Sequence, residues 1–255
     1  MLGNLARVGL VALAAAAAVV LGVICTSSSS EEDDKEISII VPKVSPTTET
    51  SPLPSPTVGP TEPPVLEAVI HGFQFPIAGA CLPDRDDLMP NAPREYRLGI
   101  HEGIDFYDGH NCVPIERGAP VLAAKTGVVI RADHDYQDIT LEEMDALLAR
   151  TFEQGYTDPE GLDRLRGRQV WLDHGDGIAT RYAHLLDVEQ GIEVGMVVEV
   201  GQVVGYVGNS GTPEGVTDPN IENHLHFEIR VGDGYLGEGL SAAQTRRLCE
   251  RAFSP

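Results

Sequence analysis

Four histidines and one aspartate, in three short stretches, have the types and spacing for chemistry. His101 and Asp105 stand in HEGIDF, His184 in RYAHLL, and His224 with His226 in HLHFE. A hydrolytic zinc site uses three protein ligands of nitrogen and oxygen type and keeps a fourth position open for water. His101, Asp105 and one histidine of the HLH pair supply such a set, and spacing alone leaves open which of the pair it is. Gly103 between the first two gives the backbone freedom to bring both side chains to one ion. The remaining imidazoles titrate near neutrality and suit proton transfer or hydrogen bonding to a developing oxyanion. No His-Glu-x-x-His motif is present, so no glutamate of that type takes the role of base.

These side chains need a scaffold that holds them. The stretch ENHLHFEIRV alternates like a β-strand, so His224 and His226 share one face. APVLAAKTGVVIRAD, GRQVWLDHGDGIATRYAHLL and IEVGMVVEVGQVVGYVG are runs rich in Val and Ile broken by Gly and Asp-Gly turns, the pattern of antiparallel hairpins. A helical insert is expected between about residues 133 and 168. Thr140 and Glu143 form a capping box, Leu141, Met144 and Leu148 follow helical spacing, and Gly155 ends the helix. A shorter helix follows from Pro159 to Arg166, closed by Gly167. A last helix starts at Ser241 and Gln244 and buries Cys249 as a small core residue. Glu228 reads either as a carboxylate behind a metal ligand or as ordinary outward polarity, and Tyr182 as groove lining or packing. His71, His110, His134 and His174 read as surface or satisfied residues.

Organisation along the chain is uneven. Val8 to Cys25 carries no charge over 18 residues, close to a membrane span. Arg7 before it and EEDDKE after it place the N-terminus inside. Residues 1–26 are therefore expected to be a membrane anchor or signal segment, with Cys25 poorly matched to a lipidated cysteine. Residues 27–66, rich in Pro, Ser, Thr and acid, are expected to be a disordered linker, and residues 67–255 the folded domain. A net charge of −21 argues against nucleic acid as a partner. None of the four cysteines lies in a CxxC pair, so no zinc knuckle is indicated. If the domain is exported, Cys81 and Cys112 can pair; otherwise they are free thiols.

In this order, His-x-Gly-x-Asp, Tyr-x-His-Leu and His-Leu-His-Phe-Glu, across hairpins with GQVVGYVGNSG, resemble the lysostaphin and LytM-type zinc metallopeptidases that cut peptidoglycan peptides. The resemblance covers about residues 71 to 232. It implies a mainly β, antiparallel sandwich with a groove over the metal. It also implies Zn2+ held by His101, Asp105 and His226, with His184 and His224 in catalysis. The expected substrate is the peptide part of bacterial peptidoglycan, and the expected place is the cell envelope outside the cytoplasm, tethered by the N-terminal helix or secreted if that segment is cleaved. Some relatives in the family have lost metal residues and activate other wall hydrolases, so a noncatalytic scaffold is the alternative. The hairpins also resemble biotinyl and lipoyl carriers, but no lysine occurs between Gly127 and Pro255. Where many relatives have a short link into the His-x-His strand, this chain has TPEGVTDPNIEN, an acidic loop beside the expected cleft. That loop, the insert and the last helix put substrate choice in doubt.

Overall fold

A computed structural model describes residues 70–254. Strand β11, His224–Val231, lies one strand in from an edge of the larger sheet. Its alternation sends Leu225, Phe227 and Ile229 into the hydrophobic core and leaves His224, His226, Glu228 and Arg230 on the opposite face. Along one edge β11 pairs with β7 (Ile178–Ala183), and along the other with β3 (Ile104–Tyr107) and β12 (Gly234–Tyr235). The sheet continues from β7 through β6 (Val170–Gly175) and β5 (Gly127–Ala132) to β9 (Val197–Val198). A second sheet takes β4 (Pro120–Leu122), β10 (Val203–Val207) and β8 (Leu185–Val188), and β1 (Pro93–Arg94) pairs with β2 (Gly99–Ile100). Every pairing is antiparallel, so the fold is the mainly β, antiparallel one expected.

The β6–β7 hairpin has the turn its Asp-Gly predicts. Gly175 pairs with Ile178 across Asp176 and Gly177, whose φ values are 52° and 74°, the doubly positive geometry of a type I′ turn. The third Val-rich run departs from expectation: β9 pairs with β5, whereas β10 pairs with β4 and β8. Its two halves therefore belong to different sheets. Short apolar runs fix strand type but not strand partner, because partner choice depends on which distant face is free.

The insert forms as patterned. Helix α1 (Leu141–Gln154) starts on the Thr140–Glu143 capping box and ends at left-handed Gly155, and α2 (Pro159–Arg166) is capped by the Asp158 carboxylate. Met144, Leu147 and Leu165 join Ile139 in a separate small core. Val216 packs against it from the acidic loop, which is not all loop: Pro213–Thr217 is a one-turn helix, α3, capped by Thr212. The insert and the acidic loop therefore support each other. Helix α4 (Ala242–Ala252) keeps its Ser241–Gln244 box and buries Leu248, Cys249 and Ala252 in the main core.

Cys81 and Cys112 form a disulfide, and Cys249 is free and buried. No helix among the described residues is long and apolar enough to cross a membrane. The expected anchor (residues 1–26) and linker (27–66) lie outside the described residues.

Candidate active site

The β3–β11 register builds the site. Asp105 lies directly opposite His226, and Tyr107 opposite His224, while the intervening pairs Phe106–Leu225 and Ile104–Phe227 go to the core. One strand pair thus supplies a polar site and its hydrophobic foundation on opposite faces. His101 joins from the segment after β2, where its N–H donates to Ala92 O and its carbonyl accepts from Asn91 N, both at 2.8 Å.

Gly103 serves for a reason different from the expected flexibility. A Cβ there would stand 2.5 Å from Phe227 O and 2.9 Å from Cε1 of His226. The residue is small because the chain crosses β11 in contact with it.

Three donor atoms converge among these residues. His101 Nε2 is 2.9 Å from Asp105 Oδ1 and 3.0 Å from His226 Nδ1, and His226 Nδ1 is 2.8 Å from the same Asp105 oxygen. All three residues are buried. The far nitrogens settle the tautomers: His101 Nδ1 lies 2.9 Å from the Met89 carbonyl and donates to it, and His226 Nε2 lies 3.1 Å from Glu228 Oε1 and donates to it. Each imidazole therefore turns a bare lone pair toward Asp105. Two lone pairs and a carboxylate oxygen in mutual contact call for a cation among them, and ligand atoms of a tetrahedral zinc stand about 3.3 Å apart. Donor chemistry and spacing fit that ion.

Behind the donors lies an ionic network that pattern reading did not find. Glu228 is fully buried and binds Arg166, Arg181 and Arg230 as well as His226, so it stands behind His226 and is not outward-facing polarity. Arg166 and Arg230 share Glu102, and Arg94 Nη2 holds the second Asp105 oxygen at 2.8 Å. Arg230 had a signal, since the two-residue period of β11 continues through it. Arg166 had none, because only the return of the insert brings the end of α2 here.

The same return sets His184. The Arg166 carbonyl accepts from His184 N at 2.9 Å, holding the residue at a φ of 58° between β7 and β8. Its ring lies 4.7 Å from that of His224 and 5.6 Å from that of His226. His184 Nδ1 donates to Ser210 O at 2.9 Å and His224 Nδ1 to Glu222 O at 2.8 Å, so both keep an unprotonated Nε2. His224 stacks on Tyr107 at 4.1 Å. All five predicted residues line one cleft of about 1000 Å³.

Burial shapes the electrostatics. It drives His101 down to about 4, places His184 well below the usual histidine value with help from His224 and His226, and lowers His224. His226 goes the other way: burial opposes its charge, but contacts with Asp105 and Glu228 outweigh it and raise the pKa. Burial likewise opposes ionisation of Asp105 and Glu228. It is overcome by His101 and His226 at the first and by His226, Arg166 and Arg181 at the second, leaving both well below the carboxylate range.

The other singled-out residues find ordinary places. Tyr182 is a core residue, its hydroxyl accepting from Ala124 N at 2.8 Å. His134 bonds Ile192 O, His174 bonds Thr126 O and Thr180 Oγ1, and His110 meets Asp84 near the cleft rim.

The chain is 31% identical over 80 residues to the L-Ala–D-Glu endopeptidase of Bacillus subtilis (strain 168), a stretch that is 31% of this chain and 24% of that protein. Solved structures with a similar fold include a zinc-containing peptidase from Vibrio cholerae (TM-score 0.40, 22% identity, 65% of this chain and 38% of that one). Another is the catalytic domain of lysostaphin from Staphylococcus simulans (TM-score 0.32, 20% identity, 68% and 82%). Residues 99–237, more than half of the chain and spanning His101, Asp105, His184, His224 and His226, match peptidase family M23. The chain belongs to that family.

Proposed function

We propose that this protein is a zinc-dependent endopeptidase that hydrolyses peptide bonds of bacterial peptidoglycan, with His101, Asp105 and His226 holding the metal. The observation that carries this reading is the convergence of two imidazole lone pairs and a carboxylate, each locked by a partner behind it. Zinc there would supply Lewis acidity, polarising a peptide carbonyl and making a water nucleophilic at neutral pH.

The chain's own groups do the rest. His184 and His224, uncharged at neutral pH and with Nδ1 committed to backbone carbonyls, present Nε2 to accept a proton from water. The imidazolium so formed donates from that same nitrogen to the developing oxyanion or the leaving amine. Met89 O and Glu228 hold the ligand rings in the tautomers that binding needs.

The relative from Bacillus subtilis directs attention to bonds of the L-Ala–D-Glu type. We place the enzyme outside the cytoplasm, tethered by its N-terminal segment. The Cys81–Cys112 disulfide supports that placement, since such bonds persist in oxidising compartments.

The test incubates the protein with isolated wall material, with and without a chelator, beside His101→Ala, and identifies released fragments by mass. Hydrolysis is expected to vanish in both controls and to return when zinc is added back to the chelated wild type. Release that ignores the chelator would end the metal reading, and stoichiometric zinc with no cleavage would favour the scaffold.

A further inference from the structure

Three arginines of the cleft are matched to carboxylates, whereas among the described residues Arg117 is exposed without an ion pair and Arg97 is buried without one. Arg85 pairs with Asp87, Arg94 with Asp105, and Arg166 with Glu102 and Glu228. Arg97 lines the same cleft, is 6% exposed, and belongs to no ion pair among the described residues. Its Nη2 donates to Ile100 O at 2.6 Å, and the Tyr96 hydroxyl lies beside it. Neither is an anion. The carboxylate that could serve, Glu102, is committed to Arg166 and Arg230.

Holding a guanidinium this way costs stability, because burial opposes its charge more than nearby Glu102, which makes no ion pair with it, supports it. The chain nevertheless builds a seat for it. Leu98 takes a left-handed φ of 48°, uncommon for a side chain of that size. Gly99 leaves the space, since a Cβ there would meet Arg97 Nη1 at 2.3 Å. Thr157, in the turn between the insert helices, donates to the Arg97 carbonyl and ties this seat to the insert.

We propose that Arg97 is the receptor for a carboxylate of the peptide substrate, which completes the ion pair the protein leaves open. The planar fork of arginine suits bidentate binding of a carboxylate. Arg97 and His101 are four positions apart in sequence, so their Cα atoms are at most about 14 Å apart, and the anion recognised belongs to a residue within a few positions of the scissile bond. This rests on the peptidase reading for the statement that a peptide occupies the cleft. It deepens that reading by making the preferred substrate acidic, although the chain itself carries a net charge of −21.

The test uses the zinc-loaded full chain and two peptides in which the L-Ala–D-Glu amide is replaced by an uncleavable isostere. One carries the free glutamate carboxylate and the other the carboxamide. Calorimetric titration is expected to show the wild type binding the carboxylate form about tenfold more tightly, the difference made by one charge-assisted contact. Arg97→Gln should bind both forms equally and melt no lower than the wild type, because it loses an unpaired buried cation; a structural role would lower the melting temperature. Arg97→Lys should keep part of the preference. Gly99→Ala, which keeps the charge but displaces the guanidinium, should lose it, and it decides the matter should Arg97→Gln not fold. Equal binding of the two peptides by the wild type, or a preference that survives in both Arg97→Gln and Gly99→Ala, overturns the inference. A preserved preference without hydrolysis of wall material would sink only the hydrolase reading. Hydrolysis without the preference would sink only the role of Arg97.

Discussion

At the residue scale, the proposed metal ligands depend on the residues behind them. Glu228 neutralises parts of three arginines and fixes the tautomer of His226. Glu228→Gln keeps the shape but removes the charge, and a change of that kind behind a metal ligand costs about 10- to 100-fold in affinity. Titration of zinc against a chromophoric chelator should show that loss, with His226 and Asp105 still in place. Gly103→Ala tests the crossing of β3 and β11. Its methyl group must displace the Phe227 carbonyl, a backbone atom that cannot swing aside. An overpacking cost of about 1–3 kcal/mol is expected in denaturant unfolding, together with weaker zinc binding, because the register that sets Asp105 against His226 is strained.

At the element scale, the helical insert is a support for the site rather than an ornament on the surface. Its exit holds His184 and supplies Arg166, and its central turn holds Arg97. Two anchors can be tested separately. Thr140→Ala removes the α1 cap and should cost about 1 kcal/mol, read as earlier loss of helical signal on heating. The second anchor is the Arg131–Asp163 contact, which ties α2 to β5 at 2.6 Å. Burial works against the Asp163 charge, but hydrogen bonds from Arg131 and Gln169 outweigh it and lower the pKa. The folded value lies below the unfolded one, so this contribution is complete above about pH 4 and disappears as pH falls through the folded value. Stability measured against pH should therefore separate wild type from Asp163→Asn at neutral pH and bring them together in acid.

At the scale of the whole molecule, the disulfide and the proposed metal site lie in different segments of the chain. Cys81 and Cys112 are 31 residues apart in sequence, and closing a loop of that size restricts the unfolded chain by about 3–4 kcal/mol in the entropy account. Mild reduction, or Cys81→Ser with Cys112→Ser, should lower the unfolding free energy by up to that amount. The zinc affinity should change little, because the ligands come from other segments.

The sequence by itself determined the strand character of β11, the sharing of one face by His224 and His226, the capped ends of α1, α2 and α4, and the type I′ turn. Each of these follows from local rules: a period of two, a capping side chain, and a pair of residues tolerant of positive φ. The three chemical stretches were legible for the same reason, since residue type and order survive without a fold. Tertiary structure decided the rest. Asp105 meets His226 across 121 residues, and Glu228 becomes a buried anion because the end of a distant insert covers it. The last Val-rich run divides between two sheets, and Arg97 alone of the buried cleft arginines is left without an anion. Spacing along a chain says nothing about which faces will be free to meet; burial and charge acquire their values only once those faces have met.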